Sequence, residues 1–259
     1  MRGTVDRNEL VPSDSESKMS WETPMTREFP EAVPQEHFVA HSYEELHRHG
    51  FRAENTIAFA SVCRDEVTLS LVEDIERTWG EVFMFSSLGG MLTLGKTGFL
   101  AAQQHAPIEH DRERYAYYAL PHIAIDAQGE FGVYYRPGRQ KASQACGALM
   151  AFQHELATGS LELALDPDDL EQSVLKQHLL RKLRYGDVPN LVALTRIAHA
   201  VIVEELERMI QLTVDRARSD YGLFTGIQIH TPEGRHFVWP GSAYAVLDGK
   251  QLNLQKMKH

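Results

Sequence analysis

Cysteine is almost absent: Cys63 and Cys146 are the only two in 259 residues. Two cysteines in this length cannot build a disulfide framework, so a packed core must hold the fold and a reducing, cytoplasmic compartment is expected. Positive charge is also in short supply. Lys and Arg number 26 against 36 Asp and Glu, a formal net charge of -10, which argues against a nucleic-acid partner because phosphate binding needs a concentrated basic face. No apolar run reaches bilayer length, so no membrane span is expected. The first 19 residues are polar and lack an apolar core segment, so no secretory signal is expected there. There is no repeat at a fixed period and no low-complexity tract.

What remains is ordinary globular material, 43% hydrophobic and 24% charged, long enough to bury a sizeable core. Residues 1–36 mix Ser, Asp, Glu and Pro without a hydrophobic period, which predicts a disordered or draped arm. Residues 37–259 read as a single α/β domain, its chemistry in 55–158 and a helical and β-hairpin portion in 160–259. Ser42-Tyr43-Glu44-Glu45 has capping-box spacing and predicts a short helix stopping at Gly50. The nearly continuous apolar run over 56–62 predicts a strand buried on both faces of a parallel sheet. Asp65 then suits an N-cap, and Val67, Leu71, Val72 and Ile75 recur at helical spacing up to Gly80.

Further strands are predicted at 82–85, 115–126 and 131–135, with a helical segment over 97–104 and a helix capped by Ser143 that carries Cys146 in its first turn. A helix from Asp166 to near Gly186 follows, then a long amphipathic helix within 189–220. Its apolar stripe runs through Leu194, Val201, Leu206 and Ile210, and serves either as a subunit interface or, by the commoner use, as core. A hairpin turns at 232–234, and a last strand lies at 243–247. Strands alternating with helices predict an α/β fold with a mostly parallel central sheet flanked by helices.

Zinc takes thiolate and imidazole ligands, and a catalytic zinc keeps three protein ligands and an open position. Cys63 lies just past a buried strand, Cys146 at the start of a helix, and His122 on another strand of the same sheet. The carboxyl ends of strands in an open α/β sheet form the crevice where ligands bind, so the two thiols converge there on this reading. The spacing is not that of a compact zinc ribbon, and two buried packing cysteines are an equally simple account.

The run from Ser61 to Leu149 resembles the limiting-CO2-inducible protein B/C (LCIB/LCIC) family, a branch of the β-class carbonic anhydrases. The residues that carry the resemblance are Cys63-Arg64-Asp65-Glu66, Ser87-Leu88-Gly89-Gly90, Gly95-Lys96-Thr97-Gly98, His105-Ala106-Pro107, Glu113-Arg114-Tyr115, Pro121-His122-Ile123-Ala124-Ile125 and Ser143-Gln144-Ala145-Cys146-Gly147. The resemblance implies a homodimeric zinc enzyme that hydrates CO2 reversibly to bicarbonate through zinc-bound hydroxide, with Cys63, His122 and Cys146 as ligands. It also implies that Asp65 belongs to an Asp–Arg dyad. The common β-class pattern Cys-x-Asp-x-Arg would place that arginine where this chain has Val67. Arg64 is the expected substitute, with Arg114, Arg136 and Arg139 as alternatives, and His105 is a candidate proton shuttle.

Two rival readings stand beside this one. Gly90-Met91-Leu92-Thr93-Leu94-Gly95-Lys96-Thr97 satisfies the spacing of a nucleotide-phosphate loop and follows a predicted strand. Its apolar interior is unusual for a phosphate cradle, and that reading leaves the cysteines without a role. The other rival is a catalytically silent, zinc-stabilised scaffold that binds a protein partner.

Overall fold

The computed structural model describes residues 21–136 and 138–255. The chain opens with α1 (Glu22–Glu28), β1 (Val33–Pro34) and α2 (Gln35–His47), then enters the sheet at β2 (Ile57–Val62). Next come α3 (Leu69–Trp79), β3 (Val82–Met84), α4 (Gly95–Gln103) and β4 (Ile108–Glu109). The long strand β5 (Arg112–Leu120) is followed by β6 (His122–Ala124), β7 (Val133–Tyr134) and β8 (Ser143–Gln144). Three helices, α5 (Gly147–Thr158), α6 (Leu170–Leu180) and α7 (Leu191–Thr213), precede the closing strands β9 (Ser219–His230), β10 (His236–Leu247) and β11 (Lys250–Asn253).

The main sheet runs β1-β10-β9-β5-β2-β3. Its centre is parallel, with β2 between β3 and β5, and β5 beside β9. The β9–β10 hairpin and the short β1 close one side antiparallel. The expected α/β architecture is therefore the observed one. Every residue of β2 is buried, as the apolar run requires of a strand covered on both faces. The pleat sends Ile57 and Phe59 toward α4, α5, α6 and α7, while Ala58, Ala60 and Val62 meet α2 and α3. The stripe of α7 is used as core: Leu194, Val201, Leu206 and Ile210 lie in the same buried cluster as Phe59 and Tyr117.

Several local expectations are corrected. Residues 1–20 of the predicted disordered or draped arm lie outside the described residues, but 21–36 are ordered elements, α1, β1 and the start of α2, that pack on the core. Trp21, Met25 and Phe29 are buried in the main core, so three well-spaced apolar side chains suffice to dock a segment that is otherwise polar. Ser42 does not cap a helix. It sits inside α2, where its hydroxyl donates to Val39 O and pairs with Tyr118 Oη, because burial against β5 overrides a local capping signal. The strand predicted over 115–126 is two strands separated by Pro121, which has no N–H to offer a ladder. Both pair with β9, but only β5 pairs with β2. The hairpin turn at Pro232–Gly234 falls where expected, although its strands are longer.

Phe29 is 1% exposed and packs edge-on against Phe131 and Trp239. Phe29→Ala is expected to destabilise the protein by about 3–5 kcal/mol in denaturant unfolding. A change within experimental error would mean that the segment carrying α1 is not part of the cooperative fold.

Candidate metal centre

Cys63 follows β2 directly and forms an isolated parallel bridge with Ser87 beyond the end of β3. The turn after it is closed by Thr68, whose Oγ1 donates to Cys63 O at 2.9 Å and to Asp65 O at 2.8 Å. Gly90 lies under this turn. A Cβ at Gly90 would stand 3.5 Å from Val62 C and 3.6 Å from Cys63 N, and its φ of +79° suits glycine. His122 is the first residue after Pro121, and from this proline break the chain pairs with β9 and no longer with β2. Cys146 is the N-cap of α5, one position outside the helix. Ser143, expected as that cap, instead lies in β8 and donates to Tyr134 O.

These three elements bring one atom each of Cys63, His122 and Cys146 within 4.8 Å of one another. The sulfurs are 3.8 Å apart, the edge length expected of a tetrahedral site with zinc–sulfur bonds of roughly 2.3 Å. All three residues are buried, and Nε2 of His122 has no hydrogen-bond partner. A buried imidazole nitrogen left bare in a dry site is costly unless a ligand takes it. The donor set of two sulfurs and one nitrogen matches what zinc accepts, so the residues fit the ion that the resemblance implies. The other ring nitrogen of His122, Nδ1, lies 3.0 Å from Nε2 of His230.

The electrostatics of the sulfur pair follow from their contact. A hydrogen bond from Cys146 holds the Cys63 thiol far below the ordinary thiol range, and His122 adds to that shift. The same hydrogen bond, with burial, pushes Cys146 up, against the helix N–H groups of Ala148 and Leu149. One shared hydrogen bond thus drives the two sulfurs in opposite directions, Cys63 down and Cys146 up.

Asp65 sits beside this cluster, and its carboxylate lies outside the set of atoms grouped there. Its partner is Arg136, whose Nη2 lies 3.2 Å from Asp65 Oδ1. Arg136 also bonds Glu66 and the Ser143 hydroxyl, so one guanidinium ties the Cys63 turn to β8. Burial, then the neighbouring Glu66 carboxyl, raises the Asp65 carboxyl above its ordinary value. Glu66 is held down at about 2, first by Arg136 and then by Asp65.

Two expected site residues are elsewhere. Arg64 does not pair with Asp65: it is 59% exposed and makes a two-pronged bond to Glu171 of α6, at 2.6 and 3.1 Å. Adjacent residues at this turn point opposite ways, so the arginine next in sequence cannot reach the carboxylate. His105 shares a shallow cleft with Ile57, Glu81 and Val82, at the start of β2. At about 3.3 Å per residue that end of β2 is roughly 20 Å from Cys63, so His105 cannot shuttle protons there.

The segment Gly90–Thr97 is not built as a phosphate cradle either. The N–H groups of Gly90 and Met91 are taken by Ser87 O and Leu88 O, Met91 is buried, and the Gly90 carbonyl accepts from Ser61 Oγ. The sequence reading missed His230 and His236 altogether. Their signal was present: one precedes and one follows the Pro-Glu-Gly turn, which places them side by side on paired strands.

A family model described as limiting CO2-inducible proteins B/C, beta carbonic anhydrases, matches residues 32–247. The crystal structure of limiting CO2-inducible protein LCIB aligns with a TM-score of 0.74 at 35% identity, covering 88% of this chain and 96% of that one. PtLCIB4, a homolog of LCIB, aligns with a TM-score of 0.77 at 23% identity, covering 90% of this chain and 99% of that one. No curated protein matches the chain. The chain belongs to the limiting CO2-inducible B/C family.

Metal-free protein at pH 7 is expected to show the ultraviolet absorbance of one thiolate per chain, lost only as the pH falls well below the ordinary thiol range. Cys146→Ala removes the sulfur that donates to Cys63, and the thiolate signal at pH 7 should fall sharply. An unchanged signal would show that the two sulfurs do not share a proton.

Proposed function

We propose that this protein is a zinc-dependent carbonic anhydrase that converts CO2 and water reversibly to bicarbonate and a proton. The observation that carries the reading is the buried cluster of Cys63, His122 and Cys146, with its sulfurs 3.8 Å apart and Nε2 of His122 bare, next to an Asp65–Arg136 pair. Membership of the family supports it.

When bound, zinc would supply a Lewis acid that acidifies water at the open position. Cys63 and Cys146 as thiolates, with neutral His122, balance the charge of a divalent ion, so the site is neutral as a whole. That balance leaves the task of orienting water to a protein carboxylate. Asp65 can accept a hydrogen bond from the attacking water and so direct a lone pair toward CO2. Arg136 fixes the direction of that carboxylate and keeps it off the metal position, and Ser143 and Glu66 hold the guanidinium in turn. The loop between β7 and β8 is therefore as much a part of the site as the Cys63 turn. A homodimer and a cytoplasmic setting belong to the same reading; a chain of 259 residues with only two cysteines suits a reducing compartment. No helix among the described residues is long and apolar enough to cross a membrane.

The test is zinc content by elemental analysis together with stopped-flow CO2 hydration. Wild type should carry about one zinc per chain and hydrate CO2, and Cys63→Ser should lose both. Zinc without hydration in wild type would indicate the silent scaffold and end the enzyme reading.

Asp65→Ala should keep the metal and lose hydration by about 100-fold or more. Arg136→Ala should follow it in direction, while Arg64→Ala should leave hydration near wild type. A large loss in Arg64→Ala with none in Arg136→Ala would reverse the assignment of the dyad.

A further inference from the structure

We propose that His230 and His236 are positioning residues for the metal, acting through a three-histidine line that makes His122 present Nε2 as its ligand atom. The proposal rests on the zinc-binding part of the reading above and goes beyond its three ligands.

The line is built by the sheet. His122 begins β6; the register of β6 on β9 sets Ala124 opposite His230, and that of β9 on β10 sets His230 opposite His236. Nδ1 of His122 lies 3.0 Å from Nε2 of His230, and Nδ1 of His230 lies 3.0 Å from Nδ1 of His236. His122 and His230 are both 0% exposed. Their ring planes are inclined by 71°, and those of His230 and His236 by 85°, so each ring meets the next at its edge.

A neutral imidazole carries one proton on one of its two nitrogens, and the other nitrogen accepts. Binding a metal through Nε2 requires that nitrogen to be bare, so the His122 proton sits on Nδ1 and is donated to His230 Nε2. His230 must then carry its own proton on Nδ1 and donate it to His236 Nδ1. That leaves the His236 proton on Nε2, at the less buried end of the line. One tautomer choice fixes all three rings, and the same bonds fix their rotation.

A ligating histidine usually gives its second N–H to a carboxylate, a carbonyl or water, which orients the ring and makes it a stronger donor. Here the acceptor is another imidazole, fully buried, and an imidazole that accepts through a bare nitrogen brings no negative charge. A carboxylate in that place would put a third negative charge beside two sulfurs in a dry region, which is costly. The neutral acceptor orients His122 without adding that charge.

The experiment uses the full chain loaded with zinc. Zinc affinity is measured by competition with a chromophoric chelator for wild type, His230→Leu, His230→Gln and His236→Leu. Leucine at 230 should weaken zinc binding by about 10- to 100-fold. Glutamine offers an oxygen to the His122 N–H and should recover most of that loss. His236→Leu should weaken binding in the same direction and by less. Ring nitrogen NMR of the zinc-loaded wild type should show protons on Nδ1 of His122 and His230 and on Nε2 of His236.

Equal affinity in wild type and His230→Leu overturns the proposal, as does glutamine no better than leucine, or a proton on Nε2 of His230. In those cases zinc binding by wild type leaves the metal reading intact. A wild type that takes no zinc sinks the metal reading itself, and this proposal with it.

Discussion

Two sulfurs in contact in a dry interior need something positive between them, either a proton or a metal ion. Cys63 and Cys146 meet this requirement at a separation that suits both occupants, and much of the surrounding structure serves to keep them there. Cys63 is fixed by the end of a fully buried strand and by the Thr68 bonds that close its turn. Cys146 is fixed by the start of α5, which packs Leu149 and Phe152 into the main core. Neither sulfur can retreat from the other without unpacking a strand or a helix.

The third member of the cluster arrives by a different route. Pro121 ends the long central strand, and the few residues after it pair only with β9. That break lets His122 stand at the ends of the parallel strands, where an unbroken strand would have carried it onward beside β2. The β9–β10 hairpin then does two jobs. It completes the sheet on its antiparallel side, and it sets His230 and His236 behind His122. The fold and the polar chain behind the site are thus one construction, which is why the orienting groups are buried residues of strands and not of mobile loops.

The outer side of the site is organised by charge. Arg136 gathers Asp65, Glu66 and Ser143, while Arg64, one residue from Cys63, turns outward to Glu171. Adjacent positions in the chain thereby serve opposite ends of the structure: Asp65 faces inward to the site and Arg64 anchors α6 against the turn. The resemblance implied an arginine partner; Arg64, named first because it adjoins Cys63, does not pair with Asp65, and Arg136, one of the three alternatives, does. The spacing of Cys-x-Asp says where the carboxylate is, because three consecutive residues share one turn. It says nothing of an arginine that approaches from the β7–β8 loop, distant in sequence and close in space.

Much of this is legible in the amino-acid sequence alone. The run over 56–62 announced a strand buried on both faces, Gly80 announced the end of α3, and the Pro-Glu-Gly turn announced the hairpin. Cys63, His122 and Cys146 stood out because cysteine is so rare here and because the motifs around all three resemble one family. These are properties of composition and of short-range pattern, and short-range pattern is what a linear sequence encodes directly. The capping signal at Ser42, the docking of Trp21 and Phe29, the break at Pro121 within an apolar run, and the pairings of Arg136 and His230 were decided only by tertiary structure. Each depends on which surface or side chain meets the residue across the fold. Burial and distance between residues far apart along the chain arise only once the sheet has assembled.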